Sequence, residues 1–454
     1  MSDLNRRALF GAAALAGAAA VAPAHATSER MERKGPPVLR APKPPMGWNS
    51  WNSFATTLTE AQALETAQIM AQRLLPFGYD VFTVDIQWYE PDATGYDYRD
   101  RADLAMDIYG RLLPAPNRFP SSADGKGFKP LADKVHAMGL KFGVHLMRGI
   151  PRLAYEKNLR VLGTSYSARD VANPNSVCTW NTDMYGVDMS KPGAQAYYNS
   201  VFRLFAEWGV DFVKMDDMSR PYGVNWAEIE GAQTAIAASG RPMILSLSPG
   251  ETDLKWGVHA QNNAQMWRIS DDFWDDWKML KAQFKRLADW SPYRRPGAWP
   301  DADMLPLGLL ALGKRKTKFT PDEQQTLMTL WSIARSPLIM GGDLRALDEA
   351  TTKLLTNREV IALNQDSRDN MPVSDDGTQV TWTALSADGT SRYLALFNIG
   401  DQAHVVTQAL KAIGAPNRVR VHNLWTGTVS TAEDSLSLEL RGHASALFRL
   451  SPLT

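Results

Sequence analysis

Short apolar runs recur along the first three quarters of the chain, near 46–50, 81–88, 141–147, 210–216, 243–248, 265–270 and 335–340. Amphipathic stretches lie between several of them, at 59–75, 128–138, 192–208, 226–239, 275–290 and 321–333. Strand and helix signals that take turns at this spacing predict parallel strands joined by crossover helices. Pro192, just after Ser190, and Pro321, just after Thr320, mark helix starts, because a first-turn residue has no helical partner for the N–H that proline lacks. About eight such units favour a closed (β/α)8 barrel over 45–368, with an open parallel sheet as the alternative.

The pattern changes near residue 370. From Pro372 onward V-T-W-T-A-L, R-Y-L-A-L-F-N-I, R-V-R-V-H-N-L-W and A-L-F-R-L alternate between glycine- and aspartate-containing turns, which predicts an antiparallel β-sandwich domain over 369–454. The other end also departs from the barrel pattern. In N-R-R-A-L-F-G-A-A-A-L-A-G-A-A-A-V-A-P-A-H-A, at 5–26, an arginine pair precedes a small-residue apolar stretch and an A-H-A cleavage-like site. Residues 1–26 therefore read as an export signal, with Arg6 and Arg7 suggesting the twin-arginine route. Residues 27–44, charged and proline-rich, read as a linker. The expected location is periplasmic or extracellular, without membrane insertion.

Composition narrows the partners. Lysine plus arginine and aspartate plus glutamate both total 49, so no charge excess calls for nucleic acid or an anionic membrane. Fifteen tryptophans suit flat platforms for the C–H faces of sugar rings as well as core positions. Cys178 is the only cysteine, which excludes an intrachain disulfide and fits a small buried hydrophobe.

Polar and aromatic residues recur where each apolar run stops, the barrel edge at which such folds place their chemistry. The ends carry Trp48 to Trp51, then Asp85, Ile86, Gln87 and Trp88, then His145 and Arg148. Next come Lys214, Asp216 and Asp217, Ser246 and Ser248, Arg268, Asp271 and Asp272, and finally Asp301 and Asp303. The chain has no dinucleotide glycine fingerprint, phosphate loop or G-x-S-x-G elbow. His259 and the other histidines lack metal-ligand spacing, so neither metal nor cofactor is expected. Many carboxylates with one lysine, one arginine and several tryptophans suit work on a glycosidic bond, in which one acid attacks and another protonates the leaving oxygen.

Four ordered motifs make this specific. P-P-M-G-W-N-S-W at 44–51, F-V-K-M-D-D at 212–217, M-W-R-I-S-D-D-F-W-D-D-W at 266–277 and P-D-A-D-M-L at 300–305 resemble glycoside hydrolase family 27, whose best-known members are α-galactosidases and α-N-acetylgalactosaminidases. The resemblance runs from about residue 40 to the end. It implies Asp216 as nucleophile and Asp272 as acid/base, with the two carboxyl groups roughly 5–5.5 Å apart as in retaining enzymes. Asp271 and Asp217 are the competing acids. The resemblance sets Trp48 against the sugar's apolar face, Lys214 and Arg268 as charged donors to ring hydroxyls, Asp303 as an acceptor, and Asp85 on the axial O4 and O6. Trp277 matches a family tryptophan.

Some positions depart from the family pattern. Ile86 replaces the second of two adjacent aspartates, removing an acceptor near C6. His145 stands where the animal enzymes have tyrosine, and Met218 replaces a disulfide cysteine. Ser248 takes the place of a glutamate that contacts O2 in α-galactosidases, which would free volume near C2. The leading expectation is an exo-acting retaining α-galactosidase acting on a terminal α-linked galactose-type sugar of an oligosaccharide, polysaccharide or glycoconjugate. The rivals are α-N-acetylgalactosaminidase, β-L-arabinopyranosidase, whose sugar lacks the C6 hydroxymethyl, and a carbohydrate-binding protein with a dead barrel. The β domain is expected to be structural, with Trp425 in its core.

Overall fold

The computed structural model describes residues 39–453. The export segment expected at 1–26 and most of the linker, 27–38, lie outside the described residues. Eight short strands form one parallel sheet: β1 Met46–Asn49, β2 Val81–Val84, β3 Lys141–Met147, β4 Phe212–Asp216, β5 Ile244–Leu247, β6 Met266–Arg268, β7 Trp299–Asp301 and β8 Leu338–Met340. Their order is β7-β6-β5-β4-β3-β2-β1-β8. The chain leaving β7 bridges Leu305 to Met340 in parallel, so the sheet's two ends meet and the open-sheet alternative is excluded. Both faces of these strands are covered, which is why they read as nearly unbroken apolar runs. The tryptophan–proline strand β7 is too short and too polar at its end to stand out that way.

The alternating helices are α1 Glu60–Arg73, α2 Lys129–Ala137, α3 Ala194–Trp208, α4 Tyr222–Ser239, α5 Gly257–Asn263, α6 Trp277–Trp290, α7 Pro321–Ala334 and α8 Arg358–Asp366. Thr320 and Glu323 form a reciprocal capping box at the start of α7, with Pro321 in its first turn. Pro192 does not open α3: the helix begins two residues later, after Gly193 at φ +93°, a left-handed conformation that proline cannot continue into a helix. The pattern did not mark α5, which has fewer than two turns, or α8.

Eight further strands, β9 Arg368–Asp375, β10 Gln379–Leu385, β11 Arg392–Asn398, β12 His404–Ala409, β13 Arg418–Asn423, β14 Val429–Glu433, β15 Ser435–Leu440 and β16 Ser445–Pro452, pair antiparallel in the order β9-β10-β11-β16-β13-β14-β15-β12. The sheet folds over an apolar filling that includes Leu394, Leu396, Val406, Val421 and Phe448, the sandwich arrangement. Its inner end is tied to α7. Gln325 and Thr326 donate to the Ser445 and His443 carbonyls at 2.9 and 2.7 Å, and the Trp425 indole N–H donates to Thr329 at 2.9 Å. Trp277 stacks on His443 with ring centroids 3.8 Å apart. Trp277 and Trp425 are thus joints between barrel and sandwich. Among the described residues no helix is long and apolar enough to cross a membrane.

Candidate active site

Alternate side chains of a strand face opposite ways. On β4 this sends Lys214 and Asp216 to one side, while Met215 between them is fully buried in the core. The β3–β4 register sets His145 beside Lys214 and Met147 beside Asp216. Asp216 Oδ2 lies 2.8 Å from His145 Nε2, and Oδ1 accepts the Ser248 hydroxyl at 2.5 Å. Burial alone would raise the pKa of Asp216, but the Lys214 charge and the His145 and Ser248 hydrogen bonds outweigh it and hold the carboxyl well below its ordinary range.

Lys214 Nζ donates to Asp85 Oδ2 at 2.9 Å, and Asn49 donates to the same oxygen at 2.7 Å. The other Asp85 oxygen accepts the Ile86 N–H at 2.9 Å. Burial opposes the charge on both partners, yet Lys214 ends above its ordinary pKa because of the Asp85 and Asp216 charges. Asp85 ends below its own, chiefly through Lys214 against burial. This is an ionised carboxylate–ammonium–carboxylate row.

Asp272, after β6, is in a different situation. Its side chain is 56% exposed, and its contact with the guanidinium of Arg268 is a long 3.3 Å. Arg268 itself is buried and pairs at 2.7 Å with Asp303. A cavity of about 360 Å³ opens between these groups, lined by Asp85, Lys214, Asp216 and Asp272. Trp51, Tyr98 and Trp180 form its aromatic side. The Trp51 and Tyr98 rings lie nearly parallel, 7° apart at 6.1 Å, and Trp180 tilts against Tyr98 at 5.5 Å. Pro249 and an exposed Arg220–Asp271 ion pair at 2.7 Å complete the lining.

Several residues stand elsewhere than expected. Trp48 is fully buried: its indole stacks on Phe82 at 4.9 Å and donates to the Gly342 carbonyl at 2.8 Å. It offers no face to a ligand, and the tryptophan on the cavity wall is Trp51, on the helical turn that follows β1. His145 is wholly buried and aimed at Asp216 instead of a sugar. Ser248 also engages Asp216, and the loop after it is tight: a Cβ on Gly250 would sit 2.0 Å from the Ser270 carbonyl oxygen. Asp303 accepts from Arg268 and from the backbone N–H groups of Phe273 and Met304, both at 2.7 Å. Ile86 is 2% exposed and packed in the main core. Arg268, Asp303, Ser248 and Lys214 share a small cavity of about 20 Å³ inside the barrel.

Of the competing acids, Asp217 takes φ +61° and is held by Arg148, while Asp271 is the rim acid paired with Arg220. Tyr98, Trp180, Arg220 and Pro249 had not been singled out in the sequence. They lie on irregular loops, where no periodicity points to a wall, and only the doublet Trp48/Trp51 offered a signal. Among the described residues no group of three or more His, Cys, Asp or Glu side chains is arranged to hold a metal ion.

A barrel mouth with one carboxylate held ionised and a second, open carboxyl across the same aromatic-walled cavity defines an O-glycosyl hydrolase of the two-carboxylate kind. Comparison with known proteins agrees. Residues 183–366 match the family model described as Alpha galactosidase A. Residues 376–450 match the one described as Alpha galactosidase C-terminal beta sandwich domain. A β-L-arabinopyranosidase of family 27 from Geobacillus stearothermophilus is 48% identical, with TM-score 0.90 over 91% of this chain and 97% of that one. A Bacillus halodurans protein provisionally called an α-N-acetylgalactosaminidase is 48% identical, with TM-score 0.82 over 90% and 98%. An α-galactosidase of Cyamopsis tetragonoloba is 28% identical over 421 residues, 90% of this chain and 86% of the relative. The chain belongs to glycoside hydrolase family 27, a family of retaining enzymes.

Proposed function

We propose that the protein is an exo-acting β-L-arabinopyranosidase that works through a covalent glycosyl-enzyme intermediate. Asp216 attacks C1 while Asp272 protonates the departing oxygen. Asp272 then takes a proton from water, which attacks C1 and releases the sugar from Asp216. The Lys214–Asp85 pair and Arg268 orient the ring hydroxyls, and Trp51 receives its apolar face. An ionised Asp216 and a solvent-open Asp272 fit those two tasks.

The observation that carries the choice of sugar is Ile86. Next to the charged Asp85 stands a buried aliphatic side chain, where the resembling α-galactosidases have a second carboxylate. A C6 hydroxyl brought there would give up its water without gaining an acceptor, a penalty of about 1–3 kcal/mol. L-Arabinopyranose has no such group. The 48% identity to the Geobacillus β-L-arabinopyranosidase over nearly its whole length supports the same reading, and a variant of that enzyme binds arabinose. We prefer this reading to the α-galactosidase expectation. The Ser248 hydroxyl is engaged by Asp216; the Bacillus halodurans relative, also 48% identical, supports the N-acetylated sugar as the second reading.

The test is the ratio of kcat/KM on p-nitrophenyl β-L-arabinopyranoside to that on the α-D-galactopyranoside. It should exceed about 10, the equivalent of 1.4 kcal/mol, and Ile86→Asp should move it toward galactose. A wild-type preference for the galactoside would overturn the choice of sugar.

A further inference from the structure

His145 is fully buried, yet its imidazole is in hydrogen-bond contact with the reacting carboxylate. Nε2 lies 2.8 Å from Asp216 Oδ2, and Nδ1 is buried with no hydrogen-bond partner among the described residues. An ionised carboxylate only accepts, so Nε2 carries the hydrogen. Ser248 donates to the other oxygen at 2.5 Å, which gives each oxygen of Asp216 its own donor. The backbone behind His145 is pinned as well, since Trp88 donates its indole N–H to the His145 carbonyl at 2.8 Å. A carboxylate with one donor can pivot about its Cβ–Cγ bond, whereas donors on both oxygens fix its plane.

We propose that His145 is a positioning residue of the reaction: its Nε2–H, opposed by the Ser248 hydroxyl, sets the plane from which Asp216 attacks C1. The assignment rests on Asp216 being the nucleophile. His145 touches neither the sugar nor the leaving group, so its contribution falls on the attack and not on ground-state binding. The charged groups around Asp216 are Lys214 on the same strand, Asp85 after β2, Arg268 and Asp272 from β6 and its loop, and Asp217 next in the chain. None of them replaces the direction that the imidazole imposes.

The experiment compares two near-isosteric variants of the full chain. In His145→Gln the side-chain amide nitrogen can reach the place of Nε2, whereas in His145→Asn it falls nearer Nδ1. On whichever p-nitrophenyl glycoside the wild type cleaves best, Asn should lower kcat by about 10²-fold, the scale of a 1 Å misplacement. KM should stay within about twofold, and Gln should restore most of the rate. A rise in KM with kcat kept would make His145 a sugar contact, and unchanged kinetics in the Asn variant would make it a packing residue. Either result overturns the proposal. A second measurement covers variants that do not fold. In ¹⁵N-histidine-labelled wild type, with only seven histidines, one ring should be locked as the Nε2–H form, and its resonance should shift when a 2-deoxy-2-fluoroglycosyl fluoride esterifies the nucleophile. If no Nε2–H resonance responds, the proposal is wrong. Peptide mapping of the trapped enzyme separates the two claims: an ester away from Asp216 sinks the nucleophile assignment, whereas an ester on Asp216 with a silent histidine sinks only the role of His145.

Discussion

Arg148 donates to Asp217 Oδ2 twice, through Nε at 3.0 Å and through a terminal nitrogen at 2.7 Å, and so separates two acids that are adjacent in the chain. Asp216 continues the strand direction into the cavity. Asp217 turns back at φ +61° onto a guanidinium that also holds Glu228 at 2.7 Å. The doublet D-D therefore carries one carboxylate that lines the cavity and one buried structural charge.

Asp217→Asn and Asp216→Asn should fail in opposite ways. The Asp217 variant should keep turnover where it is folded but lose on the order of 3 kcal/mol, the scale for breaking a buried ion pair. Glu228 keeps that loss at the low end. The Asp216 variant should stay folded and lose roughly 10⁴-fold or more in kcat. Urea unfolding and p-nitrophenyl assays on both variants check this.

The two tryptophans of W-N-S-W should separate in the same way. Trp48→Ala empties a core site and should cost about 3–5 kcal/mol of stability. Trp51→Ala removes a cavity wall and should raise KM by several-fold, with a small change in Tm. Paired Tm and KM measurements decide, and a large KM effect from a stably folded Trp48 variant would contradict its placement.

Lys214→Met should move the acid limb of kcat/KM to higher pH. The Lys214 charge opposes the burial of Asp85 and Asp216 and leaves both below their ordinary pKa. Groups with depressed folded pKa values contribute stability above the unfolded value of about 4, and lose it as pH falls through the folded values. The variant should therefore show both a raised kinetic limb and a smaller gain in Tm as pH rises through the acid range up to about 4. A pH–rate profile alongside Tm against pH measures the two effects.

Asp301 has the opposite sign. Burial, with the Asp303 charge adding to it, pushes its carboxyl up to about 7. Between the unfolded value of about 4 and that folded value, the native state holds a proton that the unfolded chain releases. Its contribution to stability is therefore favourable below about pH 4 and decays as pH rises to 7. Asp301→Asn keeps an oxygen for the Asp303 N–H, now bonded at 2.9 Å, and should flatten Tm between about pH 4 and 7. An unchanged slope would place the titration elsewhere.

Much of the architecture was legible because barrel strands covered on both faces must be apolar throughout, and because caps such as Thr320–Pro321 leave a local mark. Asp216 and Lys214 were legible for a related reason: period two along a strand sends both to the same side. Trp48 and Trp51, three residues apart, straddle the change from strand to helical turn, and spacing cannot tell which one lines the cavity. His145 and Ser248 lie on neighbouring strands, and nothing local reveals that their donors converge on one carboxylate 71 and 32 residues away in the chain.

The sequence by itself determined the alternation of elements, the family and the identity of the acids at the strand ends, because each is written in periodicity or in short ordered motifs. Only the tertiary structure decided which of those acids is enclosed by donors and which stays open to solvent, which tryptophan forms the wall, and that loops around Tyr98 and Trp180 close one side of the cavity. Those facts depend on which donors a carboxylate meets and how much water it keeps, and both are set by contacts between residues far apart in the chain.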